Sequence, residues 1–205
     1  MKPRGQTGIV LLAFAVGAVA LVTGNLMLAP GTSPAMNALA HSRLGNWMKQ
    51  TWLEHAAPPP VAGIHQAGIG DPRVDLQLPD VQGKLHKLSN WDGRRVLLNF
   101  WAPWCAPCRA EIPLLRQAQQ QYAEQAVQIV GIAVDTPEHV RSWLDKHPSN
   151  YPVLVDAPDT HRAASSYGNT RALLPFSVLI GRNGTVLKRK YGALDEAELS
   201  RWLGP

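Results

Sequence analysis

Hydrophobic and polar positions change rhythm several times along the 205-residue chain. It begins with almost unbroken apolarity. Lys2 and Arg4 precede a stretch without formal charge from Gly5 to Ser42, whose core runs from Ile9 to Leu28. A helix rising about 1.5 Å per residue crosses a hydrocarbon core of roughly 30 Å in about 20 residues, which this run supplies. Residues 1–30 are therefore expected to form a single transmembrane anchor, with the basic end in the cytoplasm and the remainder exported. The competing reading is a signal peptide cut after Ala38-Leu39-Ala40. The anchor is preferred, because signal cores run only about 7 to 15 residues and that cut lies far beyond the strongest apolar stretch. Both readings export the rest of the chain.

Residues 31–65 read as a linker. Within it Leu44, Trp47, Met48 and Trp52 recur at roughly helical spacing. This short amphipathic helix suits a membrane surface, where Trp is at home. Packing on the folded domain by the same apolar face stays equally open. Pro58-Pro59-Pro60 then imposes an extended spacer.

From about residue 66 to the end the rhythm is that of a folded domain. Arg73 to Leu78 alternates apolar and polar side chains, as a half-buried strand does, and Lys84 to Leu88 returns after the Pro79–Gly83 turn. Val96 to Trp101 is a short apolar run of the kind found in a central strand covered on both faces. A helix comes next, opening at or just before Cys105, with Ile112, Leu115, Gln119 and Tyr122 on one stripe and Pro113 inside it. Val127 to Val134 reads as a second buried strand. Thr136-Pro137-Glu138 opens a helix to about His147 by a Thr cap, a first-turn proline and an acid at the positive dipole end. Val153 to Val155 is a brief strand, and Thr160 to Tyr167 a helix stopped by Gly168. Phe176–Ile180 and Thr185–Tyr191 are strands about a Gly-Arg-Asn-Gly turn, and Asp195 to Glu198 starts a last helix ending near Leu203. Such alternation, closed by a hairpin and helix, predicts a three-layer α/β domain with a mixed sheet.

Charge adds little to this picture. A net charge of +5 is spread along the chain, and the densest run is only Lys188-Arg189-Lys190. That is a solvated basic surface, not a nucleic-acid interface, which would gather basic residues on one face beside stacking aromatics.

The cysteines change the picture most. There are only two, Cys105 and Cys108, too few for a disulfide framework or a four-cysteine zinc site. Arg109 excludes the C-x-x-C-H haem-attachment pattern, and no cofactor is expected. Cys-x-x-Cys at a strand-to-helix junction has a physical logic. At the helix N-terminus free N–H groups and the dipole favour a thiolate on Cys105. Cys108, one turn further on, can attack a mixed disulfide on Cys105 and release a reduced partner. Pro107 fixes φ between the two thiols.

The segment Asn99-Phe100-Trp101-Ala102-Pro103-Trp104-Cys105-Ala106-Pro107-Cys108 resembles the active-site segment of thioredoxin-fold proteins. More narrowly, residues 70–205 resemble the membrane-anchored TlpA/ResA/DsbE-like thiol-disulfide oxidoreductases of bacterial envelopes. The opening hairpin, the insert around 137–156 and the late Leu-Pro-Phe-Ser-Val-Leu-Ile segment fit as well. The resemblance implies a thioredoxin fold with an N-terminal hairpin and a central helix-strand insert. It makes Pro175 the cis-proline facing the sulfurs, with Leu174 before it where relatives often carry Thr. It also makes Glu111 the acid that tunes the thiols or relays protons. Against that stands a plain, solvated first-turn acid, and from sequence the two are open. Asn99 stands where thioredoxins proper carry a buried Asp, and an amide does not titrate in this range. Trp104, Pro107, Leu174 and Pro175 are the expected substrate contacts. Trp101 is expected in the core.

The resemblance implies a thiol-disulfide oxidoreductase in the bacterial inner membrane, its catalytic domain in the periplasm. It would reduce protein disulfides, for instance before haem attachment to apocytochromes, and be recharged by a membrane electron donor of the DsbD/CcdA type. The alternative is a copper- or metal-handling module using both thiolates as soft ligands. Copper chaperones of related fold, however, use a wider cysteine spacing and a distant His. A peroxidase of related fold would carry Thr where this chain has Ala102.

Overall fold

The computed structural model describes residues 42–55, 65–158 and 162–204. The anchor or signal peptide, the Ala38–Ala40 site and the triple-proline spacer lie outside those residues. Among the described residues no helix is long and apolar enough to cross a membrane. The chain divides after Trp52 into two units, and each is described by itself. Helix α1 (Arg43–His55) includes the expected amphipathic stretch, with Leu44, Trp47, Met48 and Trp52 exposed.

The second unit is built on a five-stranded sheet. Its strands are β3 (Arg95–Trp101), β4 (Val127–Val134), β5 (Val153–Asp156), β6 (Phe176–Ile180) and β7 (Val186–Tyr191), in the order β5-β4-β3-β6-β7. The β3–β4 and β4–β5 pairs are parallel, and the β3–β6 and β6–β7 pairs antiparallel. The sheet is mixed because α2 (Ala106–Tyr122) and α3 (Pro137–Leu144) cross back between parallel strands, whereas β6 and β7 are joined by a tight turn. Helices α4 (Arg162–Ser165) and α5 (Glu196–Leu203) complete the unit.

Alternation along β3 sorts the core into two layers. Leu97 and Trp101 face a cluster with Ile112, Leu115 and Tyr122 of α2, Val140 of α3 and Leu199 and Leu203 of α5. Val96, Leu98 and Phe100 face another with Ala163 and Ala164 of α4, Tyr167, Phe176 and Tyr191. Each fully buried large side chain contributes roughly 1.5–3 kcal/mol over its exposed state. These two faces hold β3, and the site at its end, from both sides. The fold is the thioredoxin-like α/β architecture expected from sequence.

Helix α2 buries Cys108, Glu111, Ile112, Leu115, Ala118, Gln119 and Tyr122, a spacing of three and four that makes one continuous stripe. Pro113 lies inside the helix, on its exposed side, so its ring meets solvent and not the core. Gly131 in mid-β4 has a steric reason. A Cβ there would lie 3.1 Å from Trp101 Nε1 and 3.3 Å from a Tyr151 ring carbon. Helix α5 starts in a reciprocal capping box, Asp195 Oδ1 accepting from Glu198 N and Glu198 Oε2 from Asp195 N.

Some elements are shorter than their patterns predict. The strand expected over 73–78 is only β1 (Gln77–Pro79), paired with β2 (Leu85–Lys87). Arg73 N donates instead to Gly184 O at the β6–β7 turn, and Asp75 accepts from the backbone and hydroxyl of Ser89. The alternation is real, and Leu88 N still donates to Leu76 O across the hairpin, but before Leu76 the hydrogen bonds go elsewhere. Lys84–Leu88 is likewise trimmed, because Leu88 already opens a 3-10 turn ending at Trp91. The helix expected to His147 is α-helical only to Leu144, after which His147 N bonds back to the Trp143 and Leu144 carbonyls. The helix expected over 160–167 is α4, and residues 160 and 161 lie outside the described ones.

Candidate active site

Strand β3 delivers the chain to the cysteines. Residues 102–104 turn away from the sheet end, and Cys105 becomes the N-cap of α2 in an extended conformation. Its Sγ accepts a hydrogen bond from Cys108 N at 3.3 Å. A sulfur thus occupies the place of the usual Ser or Asp cap oxygen. Cys105 and Cys108 are joined by a disulfide with their Cα atoms 5.3 Å apart. Both cysteines are buried, Cys108 completely and Cys105 at 5% exposure. In the reduced form, the capping position puts the Cys105 sulfur against the positive end of the helix, which favours its thiolate.

The other expected site residues fall into two groups. Trp104 is 67% exposed and Pro107 is exposed, so both stand on the outer surface beside the disulfide, while Trp101 is buried as expected. Leu174 and Pro175 arrive from the other side. The Leu174–Pro175 peptide bond is cis. Phe176 pairs with Phe100 in the β3–β6 register, so Pro175 falls beside the Trp101 end of β3, where the chain leaves for Cys105. Pro175 is buried, and half-buried Leu174 packs against the same apolar cluster that holds Cys105 and Cys108. The fold therefore gathers residues about 70 positions apart at one end of the central strands.

Glu111 is not the solvated first-turn acid that the sequence left open. It sits one turn after Cys108 and is only 2% exposed. Its Oε1 accepts from Asn99 Nδ2 at 2.6 Å, and its Oε2 from Leu194 N at 2.8 Å. Burial pushes its pKa up to about 7, above the ordinary 4.5. The Asn99 and Leu194 hydrogen bonds and the Lys190 ammonium hold it down in part, and the Glu198 carboxylate pushes it up. A carboxyl so placed is present in both protonated and ionised forms near neutral pH, where a free glutamate is fully ionised.

Asn99 is the hinge of this arrangement. Fully buried on β3, it donates to Glu111 and, at 3.2 Å, to Ser177 Oγ, its cross-strand partner on β6. Its Oδ1 has no hydrogen-bond partner. Sequence reading reached Asn99 and Glu111 but missed Ser177, Leu194 and Lys190. A signal existed for Ser177, which is a polar residue inside the apolar run Phe176–Ile180, as Asn99 is inside Val96–Trp101. Two polar interruptions in neighbouring buried strands have to find each other or another partner. Among the described residues, no group of three or more His, Cys, Asp or Glu side chains lies close enough together to hold a metal ion.

The geometry has counterparts in known proteins. The model of the AhpC/TSA family matches residues 69–198. Thiol-disulfide oxidoreductase ResA of Geobacillus kaustophilus is 31% identical over 136 residues, covering 66% of this chain and 76% of that protein. ResA of Geobacillus thermodenitrificans is 30% identical over the same shares. A crystal structure from Chlorobium tepidum, provisionally assigned as the thiol:disulfide interchange protein DsbE, superposes with a TM-score of 0.60 at 32% identity. It covers 68% of this chain and 100% of that one.

Proposed function

We infer the function from one premise: the chain belongs to the AhpC/TSA family and is a thiol-disulfide oxidoreductase of thioredoxin-like fold. Its task is to reduce disulfides of exported proteins. Cys105 is the attacking sulfur and Cys108 the resolving one. The Cys105 thiolate attacks one sulfur of the substrate disulfide, and the other sulfur leaves as a thiolate and takes a proton. Cys108 loses its proton and attacks Cys105 Sγ, and the second substrate sulfur leaves. The substrate gains two electrons and two protons, and the protein is left with Cys105 and Cys108 joined, as they are in this structure. Glu111 receives the proton of Cys108. Trp104, Pro107, Leu174 and Pro175 form the surface on which the substrate segment lies.

The carrying observation is the disulfide at the α2 N-terminus with a buried acid one turn behind it, titrating near neutrality. Ala102 offers no hydroxyl where peroxidases of related fold place a Thr, which favours thiol-disulfide exchange over peroxide reduction. Residues 1–30 serve as the membrane anchor, and α1, with its exposed Trp47 and Trp52, lies on the bilayer surface. The domain faces the periplasm, receives electrons from a membrane donor of the DsbD/CcdA type and acts in cytochrome c maturation. The basic residues ahead of the apolar run support this orientation.

Equilibration with a glutathione redox buffer tests the direction of flow. A reductase should show a potential nearer to thioredoxin, about −270 mV, than to DsbA, about −120 mV. A DsbA-like value would overturn the reductase assignment and make the protein an oxidant.

A further inference from the structure

A groove of about 550 Å³ lies between residues that flank the cysteine pair in sequence, Pro103 and Arg109, and α3 with its following turn. Pro103, Arg109, His139, Trp143, Lys146 and His147 line it. Pro103 lies two residues before Cys105, and Arg109 one helical turn after it, its N–H donating to the Cys105 carbonyl at 3.1 Å. An occupant of the groove would therefore contact the residues on either side of the cysteine pair, Pro103 and Arg109.

The chemistry of the lining is one-sided. No acidic side chain lines the groove, and the acids of the same segment, Glu138 and Asp145, do not border it. Arg109 Nη1 donates only to a neutral carbonyl, that of Pro103, at 3.3 Å. Among the described residues no carboxylate pairs with Arg109 or with exposed Lys146. The histidines are engaged locally, His139 Nδ1 with Asp135 Oδ1 and His147 Nδ1 with the Trp143 carbonyl, each at 3.0 Å. Two uncompensated cations thus flank the groove. Its floor is aromatic: half-buried Trp143 packs edge-on to Trp101 at 4.8 Å and stacks on His147 at 4.4 Å.

We propose that this groove docks an acidic polypeptide segment of the substrate, adjacent to the cysteine undergoing exchange. The proposal rests on the disulfide-exchange reading and adds to it the substrate class. Carboxylates of the segment meet Arg109 and Lys146, and an apolar side chain lies on Trp143. Uncompensated like charges around a cleft raise the local concentration of an oppositely charged partner and speed encounter, in a salt-dependent way.

The test uses the full chain in detergent and two disulfide-bonded peptides that differ only in flanking residues, Asp/Glu in one and Lys in the other. Exchange with the acidic peptide should be about tenfold faster at low salt, and the ratio should fall toward one at about 1 M salt. Lys146→Glu should cut the ratio severalfold. Lys188→Glu makes the same charge change on the exposed part of β7 and should preserve it. Equal rates for both peptides, a preference for the lysine peptide, or the same loss in Lys188→Glu would overturn the proposal. Absence of exchange with either peptide would instead remove the reading beneath it, and this proposal with it.

Discussion

Replacing Cys105 with alanine should lower disulfide-exchange turnover on the order of a thousandfold or more, to the background of the reductant alone. The reason is positional. Cys105 is the helix cap, where the dipole and the free N–H groups of the first turn favour a thiolate, and its Sγ already accepts the Cys108 N–H. Cys108 cannot take over. It is completely buried one turn inside α2, and burial away from the helix N-terminus disfavours a thiolate there. Turnover of a model peptide disulfide by the two single variants checks this. Cys108→Ala should still make the first attack and then stop. Equal first-step rates in the two variants would contradict the assignment of roles.

The second large effect is expected at Glu111. With Gln in its place the resolving step should slow by about a hundredfold at neutral pH, in the range ascribed to a positioned proton acceptor. In the unaltered protein that rate should rise through about pH 7 as Glu111 ionises, and the variant should lack this component. Stability moves in step. Folding raises the Glu111 pKa from 4.5 to about 7, so the folded state binds this proton more tightly than the unfolded chain does. The stabilisation is complete below about pH 4.5 and is lost as pH rises through about 7, a change on the order of 3 kcal/mol. Urea unfolding at about pH 4.5 and pH 8 should show that loss in the unaltered protein and not in the Gln variant. Asn99 can accommodate the substitution, because turning its amide presents the unpartnered Oδ1 to the new Nε2 donor. An identical pH dependence in both proteins would assign Glu111 a merely structural place.

The two effects arise from one sequence segment, yet they were not equally legible in it. The reactive pair was plain, because two cysteines separated by two residues between an apolar strand and a helical stripe have few other uses. The central strands were legible for a similar reason. Val96–Trp101 and Val127–Val134 are buried on both faces, so their composition alone marks them. Burial of Glu111 was not legible. Its position in the α2 stripe is shared with core residues, but what closes over it is the Leu194 backbone, more than 80 residues away. Sequence spacing on one helix cannot report that. The opening hairpin was legible in part: β1 and β2 pair as expected, but the pairing is shorter than the alternation. Val74, Leu76 and Leu78 alternate as a strand should, and Val74 and Leu76 do pack on the core. Leu88 N still donates to Leu76 O, but the Arg73 N–H goes to Gly184 and Asp75 accepts from Ser89, so the pattern reports burial further than it reports pairing. The groove near the cysteine pair needed the fold altogether, since Arg109 and Lys146, 37 positions apart, come to line one cavity only there.

The central claim is that Cys105 attacks and Cys108 resolves, and trapping addresses it most directly. The Cys108→Ala protein, reduced and mixed with a disulfide-bonded peptide, should accumulate a covalent adduct of one peptide half per chain. Mass mapping should place it on Cys105, and the unaltered protein should instead end as the Cys105–Cys108 disulfide with the peptide fully reduced. No adduct on Cys105, together with an adduct on Cys108 in the Cys105→Ala protein, would contradict the account.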